Sequence, residues 1–208
     1  MLTNVLIVED DPMARTLFEI YIKNSGRYRL AAAIESAALA ELYCLKKQID
    51  LIIMDVCTAL NASGLEAAAK IKKNHPKIRI IIVTSQPECD FIARARESKI
   101  DSFWYKDPSE ETVLSIMDRT MNGESVYPDT TPRLKVGEAL NTEFTEAELR
   151  VLRELTSGDT DEEIAGSLNL SAWTVRKHVK NMLEKTGFKS RTQLAIAARE
   201  SGIVIKGY

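Results

Sequence analysis

Four short apolar runs in the first half of the sequence each end abruptly in a polar residue. The runs cover residues 5–8, 51–54, 80–83 and 103–105, and the residues that follow them are Glu9, Asp55, Thr84 and Lys106. Continuous apolar runs of this length are typical of parallel strands buried on both faces, and the carboxyl ends of such strands lie at one edge of a sheet. Acids, a hydroxyl and an ammonium gathered there suit a divalent metal and a phosphoryl group.

The composition bounds the class of protein. A chain of 208 residues has room for two domains of roughly 100–150 residues, and its 45% hydrophobic and 28% charged residues are typical of a globular protein. Cys44, Cys57 and Cys89 are far apart and odd in number, so we expect reduced thiols rather than disulfides or a zinc site. No apolar stretch approaches the ~18–20 residues of a membrane span, and a strand begins before any signal peptide could end. We therefore expect a cytoplasmic protein with no membrane partner.

Residues 1–121 alternate strand and helix patterns. Strands are predicted at 4–8, 28–34, 50–54, 78–84 and 101–105, and helices at 12–24, 36–47, 64–74, 87–98 and 109–121. Asp11-Pro12 and Asp107-Pro108 each offer an acidic N-cap followed by proline at the first helical position. Five such units predict an α/β domain, a doubly wound five-stranded parallel sheet with helices on both faces.

The rest of the chain follows a different pattern. Glycines, prolines and threonines without periodicity indicate a linker over 122–141, and 142–208 is predicted to be a second, smaller all-α domain. Its helices are predicted at 146–156, 161–168, 172–186 and 190–200, and Thr145 with Glu148 forms a capping box. Segment 143–163 has eight acids against two bases, whereas 171–191 has six bases against one acid. Such a basic cluster is typical of a surface that faces a polyanion.

The first domain, over its whole length, resembles the flavodoxin-like receiver domain of two-component response regulators. In that family an acidic group holds Mg²⁺, and the matching residues here are Glu9, Asp10, Asp55 and, through its backbone carbonyl, Cys57. The resemblance implies that Asp55 accepts a phosphoryl group and that Thr84 and Lys106 bond its oxygens. It also implies a switch, in which the aromatic Phe103 moves inward when Thr84 engages the phosphoryl group. A metal and a fixed ammonium would neutralise the charge that develops during transfer.

One stretch departs from the receiver pattern. The family usually has Asp-x-x-x-Pro-x-x-x-Gly after the acceptor, whereas here Ala59 holds the proline position and Gly64 comes one residue late. Loop 56–64 is therefore predicted to be longer and less stiff, with an unusual rate or lifetime of phosphorylation. A haloacid-dehalogenase-type phosphatase is a poor alternative, since it needs a second aspartate where this sequence has Cys57.

Residues 144–200 resemble the LuxR-type helix-turn-helix of the NarL/FixJ class of regulators. The resemblance rests on Thr145, Glu148, Glu163-Ile164-Ala165, Thr174-Val175, His178 and Arg191-Thr192, among others. Helix 172–186 is predicted to bury one face and to present cations and Trp173 on the other, as a recognition helix does in the major groove. Candidate contacts to base edges or nearby phosphates are Arg176, Lys177 and Lys180, and candidate backbone contacts are Thr174, His178, Lys185 and Arg191. Asp161-Glu162 depart from the family, which favours Asn or a base there.

These features together predict a phosphorylation-controlled DNA-binding transcriptional regulator of a two-component system, not an enzyme. Its expected partners are double-stranded DNA, a sensor histidine kinase and a second copy of the chain in an active homodimer. The last helix, with Leu194, Ala195, Ile196 and Ala198, is a candidate dimer surface unless these residues close the small domain's core. One alternative stays open because of loop 56–64: a constitutive DNA-binding regulator whose receiver acts only as an association module.

Overall fold

The chain forms two compact units. The computed structural model describes residues 2–86, 90–106, 112–129 and 132–204, and the first unit is built mainly from residues up to Asp129 and the second mainly from those after it. The predicted strands and helices are present, with ends shifted by a few residues. The Asp107-Pro108 cap and the predicted starts of helices 87–98 and 109–121 lie outside the described residues. Within the described ranges, no helix is both long and apolar enough to cross a membrane.

The first unit is built on a parallel sheet. Its strands in chain order are β1 (Thr3–Val8), β2 (Tyr28–Ile34), β3 (Leu51–Asp55), β4 (Cys57–Thr58), β5 (Ala62–Ser63), β6 (Arg79–Thr84) and β7 (Ser102–Tyr105). Five of them form one sheet in the order β2-β1-β3-β6-β7, with parallel pairing throughout. The strand order reverses at β1, and ligands of such sheets bind outside the carboxyl ends at this switch point. The predicted doubly wound fold is confirmed.

Helices cover both faces of this sheet. They are α1 (Pro12–Ser25), α2 (Ala40–Lys46), α3 (Gly64–Asn74), α4 (Phe91–Glu97) and α5 (Val113–Met121). Alternate strand residues face opposite ways, so Ile7 and Ile53 pack with Phe18 of α1 and Met117 of α5 in one buried cluster. Asp11 is the predicted N-cap of α1, since its Oδ1 accepts the N–H groups of Met13 and Ala14, each at 2.8 Å.

Parts of segment 122–141, which the sequence predicted to be a linker, take part in regular structure. Its first part runs along the outer edge of β7, where the Phe103 N–H donates to the Val126 carbonyl at 2.8 Å and the Tyr127 hydroxyl donates to the Ile100 carbonyl at 2.8 Å. This covers an edge strand that would otherwise be open to pairing. Its last part forms a hairpin of β8 (Lys135–Val136) and β9 (Ala139–Leu140) in the second unit. Each end of the predicted linker therefore belongs to a folded unit.

In its described residues, the second unit contains four α-helices beside the β8–β9 hairpin. They are α6 (Glu146–Leu155), α7 (Asp161–Leu168), α8 (Ala172–Thr186) and α9 (Arg191–Ser201). The predicted capping box of Thr145 and Glu148 is present at α6, and a second one, which the sequence analysis did not note, joins Thr160 and Glu163 at α7. Asn169 ends α7 in the left-handed conformation and so makes the turn into α8.

The hairpin turn at Gly137 closes against the end of α8. Gly137 has a φ of 63°, and a Cβ built there would lie 2.2 Å from the Thr186 carbonyl oxygen. The neighbouring Glu138 N–H donates to the same oxygen at 3.0 Å. A two-residue turn that starts with glycine is a known hairpin signal in sequence, so this feature could have been predicted.

We expect Gly137→Ala to lower the free energy of unfolding by roughly 2–4 kcal/mol, because it adds a backbone clash to the strain of a positive φ. Gly158→Ala is the matched control, since Gly158 also has a positive φ, of 88°, but has open space around its Cβ position. That variant should lose only about 1 kcal/mol. Urea unfolding followed by circular dichroism measures both, and equal losses would contradict the proposed clash.

Candidate functional site

Four strand ends bring their polar residues to one edge of the sheet. β1, β3, β6 and β7 are consecutive neighbours, and Glu9, Asp55, Thr84 and Lys106 lie at their carboxyl ends. Glu9, Asp55 and Thr84 are buried, Asp55 with only 6% of its surface exposed. One carboxylate oxygen from each of Glu9, Asp10 and Asp55 lies within 4.8 Å of the others. The structure therefore brings together the acids that the sequence singled out.

Lys106 places its ammonium between two of these carboxylates. Its Nζ donates to Glu9 Oε2 at 2.7 Å and forms an ion pair with Asp55 Oδ1 at 3.0 Å. Its backbone N–H donates to the Thr84 carbonyl at 2.8 Å, which fixes the end of β7 beside β6. Burial alone would lower the pKa of Lys106, but the charges of Asp55 and Glu9 outweigh it and raise this pKa above its ordinary value. The side chain is therefore a fixed cation.

The acids of this cluster outnumber the ammonium. Burial raises the pKa of Asp55 to about 7, against the attraction of Lys106, and burial also raises the pKa of Glu9. No described residue donates a directed hydrogen bond to Asp55 Oδ1, whose contact with Lys106 is an ion pair. A divalent cation that prefers oxygen ligands would neutralise the excess charge. Glu9, Asp10 and Asp55 thus have the chemistry that magnesium needs.

Cys57 lies on β4 beside these acids and is partly buried. Burial raises the pKa of its thiol to about 12, and the charge of Asp55 acts in the same direction. The thiol is therefore neutral at physiological pH and is a poor metal ligand. The expectation for this residue concerns its backbone carbonyl, which the side-chain chemistry leaves available.

The segment after Asp55 forms a hairpin. β4 pairs antiparallel with β5, and the tip residues Leu60 and Asn61 have φ values of 65° and 52°. Leu60 is 86% exposed, so the tip projects from the first unit. The exposed tip with its two positive φ values lies between Asp55 and the glycine that comes one residue later than in the family pattern.

Hydrogen bonds tie this hairpin to the chain after β2. Thr58 Oγ1 accepts the Ala37 N–H at 2.9 Å and donates to the Ala62 carbonyl at 2.6 Å. The Ala59 N–H donates to the Glu35 carbonyl at 3.0 Å. A proline at position 59 has no N–H to donate. The missing proline predicted a less stiff loop, but these hydrogen bonds hold the hairpin in its place.

Gly64 keeps the role of a close-packed glycine despite its late position. Its N–H donates to the Val56 carbonyl at 2.8 Å, and a Cβ built on it would lie 1.8 Å from the Asp55 carbonyl oxygen. Only glycine allows the start of α3 to approach the backbone of Asp55 so closely. The backbone around Asp55 is therefore tightly packed although the glycine comes one residue late.

Arg15 supports the acidic pair and was missed by sequence reasoning. Its Nη1 donates to the Glu9 carbonyl at 2.8 Å, and its Nη2 forms an ion pair with Glu35 at 3.2 Å. One guanidinium thus links the ends of β1 and β2. No local pattern marks this role, since it depends on a turn of α1 that brings residue 15 back over residue 9.

Phe103, the predicted switch aromatic, is buried between two tyrosines. Its ring centroid lies 5.1 Å from that of Tyr105, edge to face, and 6.3 Å from that of Tyr127, in a stacked arrangement. The Arg96 guanidinium of α4 lies over the ring of Tyr127, 4.2 Å from its centroid. Tyr127 lies in the predicted linker, so its place beside Phe103 could not be predicted from local sequence patterns.

In the second unit, α8 has the two faces that the sequence predicted. Val175, Val179 and Met182 are buried in the core. Trp173, which is 68% exposed, lies on the outer face, as do the predicted cations Arg176, Lys177 and Lys180. Thr174 and His178 are partly buried at the margin between the two faces.

Lys185 has a structural partner. Its Nζ donates to Glu148 Oε2 at 2.7 Å and to the Glu143 carbonyl at 2.8 Å. Glu148 is buried and also closes the capping box of α6. The expected contact of Lys185 with a DNA backbone would compete with this pair, which joins α8 to α6.

The aliphatic residues of α9 were predicted either to form a dimer surface or to close the small domain's core. Leu194 and Ala198 are fully buried in the core of the second unit, whereas Ile196 is 54% exposed. Leu194 and Ala198 therefore close the small core, and of the aliphatic residues named for a dimer surface Ile196 is the exposed one.

Two family models match the chain in the same two parts. The response regulator receiver domain matches residues 5–118, and the model of bacterial regulatory proteins of the luxR family matches residues 142–198. The chain is 30% identical over 211 residues to the response regulator protein VraR of Staphylococcus aureus, an alignment that covers 98% of this chain and 100% of that protein.

Solved structures show the same fold. A structure of two RcsB dimers bound to two parallel DNAs has a TM-score of 0.62 and 19% identity, and covers 96% of this chain and 98% of that chain. RcsB from Salmonella enterica serovar Typhimurium bound to promoter rprA with the phosphomimetic BeF3- has a TM-score of 0.60 and 20% identity, with 94% and 97% covered.

The fold and the acidic edge define a receiver joined to a helix-turn-helix domain, the composition of a transcription regulator rather than of an enzyme. This chain belongs to the response regulators of two-component systems, with a luxR-type DNA-binding domain.

The raised pKa of Asp55 predicts a pH-dependent stability in metal-free buffer. The unfolded carboxyl titrates near pH ~4 and the folded one near pH 7, so the folded state holds a proton that the unfolded state has lost, and stability falls as the pH rises between these values. Asp55→Asn removes the buried charge and leaves Lys106 its partner Glu9. We expect this variant to be more stable than the natural protein at pH 8, by on the order of 1–3 kcal/mol, with the difference shrinking towards pH 5.

Thermal unfolding in the presence of a chelator measures this difference. Asp11→Asn is the matched control, because Asp11 is exposed and asparagine also caps helices well. An Asp55→Asn variant that is less stable than the natural protein at pH 8 would contradict the raised pKa.

Restoring the family's proline should weaken the hairpin. Ala59→Pro removes the N–H that the Glu35 carbonyl accepts, so we expect a loss of about 1 kcal/mol in the free energy of unfolding instead of the usual gain from a proline. Ala59→Ser keeps the N–H and should stay within about 0.5 kcal/mol of the natural protein. Urea unfolding of the two variants decides, and a stabilising proline would show that the hydrogen bond contributes nothing.

Proposed function

We propose that Asp55 is the phosphoryl acceptor of this response regulator and that a sensor histidine kinase is the donor. In the transfer, the bond between phosphorus and the donor nitrogen breaks, and a carboxylate oxygen of Asp55 forms a bond to phosphorus, giving an acyl phosphate. The reaction needs Asp55 in its charged form. The observation that supports this role most is the ion pair with Lys106, because it favours the charged form of a carboxylate that burial disfavours.

Glu9, Asp10 and Asp55, with the carbonyl of Cys57, would hold magnesium, which when bound neutralises charge on the phosphoryl oxygens. Lys106 is already fixed beside Asp55 and stabilises negative charge on the incoming group without reorganisation. Asp55 pairs with Val83 of the neighbouring strand β6, and Thr84 is the next residue, at the end of that strand. Its hydroxyl would bond another phosphoryl oxygen.

Signal transfer would start at Thr84 and Phe103. In our proposal, a phosphoryl group that engages Thr84 changes the packing of Phe103, and Tyr127 stacks on this ring at the start of the segment that leads to the second domain. The result is a population shift between arrangements of the protein. It favours a homodimer whose α8 helices lie in successive major grooves.

DNA recognition would use the outer face of α8. Arg176, Lys177 and Lys180 are placed to reach base edges or nearby phosphates, and Thr174, His178 and Arg191 to contact the backbone. RcsB, which has the same fold, is bound to DNA in two of the solved structures. As a DNA-binding regulator of a bacterial family, the protein would act in the cytoplasm.

The intact mass after incubation with acetyl phosphate and magnesium tests the acceptor. We expect the natural protein and Asp11→Asn to gain the mass of one phosphoryl group and Asp55→Asn to gain none. The same three proteins are then compared for dimer formation by light scattering. Dimers that form without any gain in mass, and equally in Asp55→Asn, would favour the constitutive regulator whose receiver only mediates association.

A further inference from the structure

Two arginines of the predicted DNA-binding surface are held by carboxylates of the same domain. Arg176 Nε donates to Asp161 Oδ2 at 3.1 Å, and its Nη2 donates to Glu162 Oε1 at 2.9 Å. Arg191 Nη1 donates to the other Asp161 oxygen at 2.8 Å. Asp161 therefore bridges a guanidinium of α8 and a guanidinium of α9.

The remaining cations of α8 are also engaged. Lys180 lies 3.7 Å from Glu184 on its own helix, and Lys185 lies 2.7 Å from Glu148 of α6. The Lys177 Nζ lies 5.5 Å from the centroid of the Trp173 ring. Within the described part of the chain, Lys177 is the predicted base-edge cation on α8 that has no carboxylate within ion-pair distance.

A carboxylate and a DNA phosphate compete for the same guanidinium groups. Both are anions with two oxygens that an arginine can bond at once, so an arginine on one is not available to the other. Arg176 and Glu162 are both more than half exposed, and exposed ion pairs contribute little to stability, whereas Asp161 is only 17% exposed. The carboxylates can therefore be exchanged for phosphates, but while they remain they place two negative charges on the surface that faces DNA.

We propose that Asp161 and Glu162 act as an internal substitute for DNA phosphates and so set the specificity of binding. Binding to DNA of any sequence depends mainly on phosphate contacts, so this mode loses most when Arg176 and Arg191 are already occupied. Binding to the correct site gains base contacts in addition and is affected less in proportion. The inference rests on the proposed DNA-binding function of α8.

The double variant Asp161→Asn, Glu162→Gln tests it, because it removes both charges and keeps the shape of the side chains. We expect the full-length variant to bind a random-sequence duplex about tenfold more tightly than the natural protein. The plot of log K against log salt should become steeper by about 1–2, since up to two arginines are freed for phosphates. Fluorescence anisotropy over a series of salt concentrations measures both quantities.

The matched control is Glu146→Gln, Glu200→Gln, which makes the same change in net charge at two exposed acids of the second unit that form no ion pair with a described residue. Arg176→Gln completes a thermodynamic cycle. It should weaken binding to the random-sequence duplex by a larger factor in the double variant than in the natural protein, because only the double variant has released Arg176 from its carboxylates.

Each result decides between clear readings. A double variant that matches the control variant would overturn the inference while leaving DNA binding in place. Weaker binding by the double variant would overturn it as well, since the acids would then position the arginines for contact. If neither the natural protein nor any variant binds DNA at low salt, the DNA-binding function itself fails, and the inference fails with it.

Discussion

The ion pair between Lys106 and Asp55 is the constraint on which the receiver depends. Asp55 is buried at the end of a strand, where a lone carboxylate would be protonated, and the fixed ammonium 3.0 Å away opposes that effect. The same ammonium donates to Glu9, so a single cation is shared between two acids. The site therefore keeps an excess of negative charge, which would favour a bound divalent cation and would oppose folding without one.

The hairpin after Asp55 departs from the family pattern without loosening the backbone beside that residue. Leu60 and Asn61 at its exposed tip both have positive φ. Ala59 donates an N–H bond to Glu35 that proline could not make. Gly64 packs against the backbone of Asp55 although it comes one residue late. These contacts hold the segment beside the acids, which weakens the case for a receiver that has lost phosphorylation.

The strands and the strand-end residues could be predicted because both follow from local patterns: apolar runs, their period and the polar residue that ends each one. The contacts of Arg15 and Tyr127 could not, since each joins segments that only the tertiary fold brings together. The hydrogen bond between Ala59 and Glu35 could not be predicted for another reason: it joins backbone groups, and side-chain patterns in the sequence do not indicate such bonds. The hairpin at Gly137 had a usable turn signal, but the lack of periodicity around it favoured a linker.

In both units, a cation of the proposed site is paired with carboxylates. In the receiver, Lys106 lies on carboxylates in the place where a phosphoryl oxygen would be bound, and in the second unit Arg176 lies on the carboxylates of Asp161 and Glu162 where a DNA phosphate would be bound. In our proposal, the phosphate therefore meets a cation that already has anionic partners rather than an unpaired one. The net gain from that cation would be small, so binding would depend on what accompanies the phosphate: a metal ion in the receiver and base contacts at the DNA. Sites balanced in this way respond to modest signals, which is what a regulator needs.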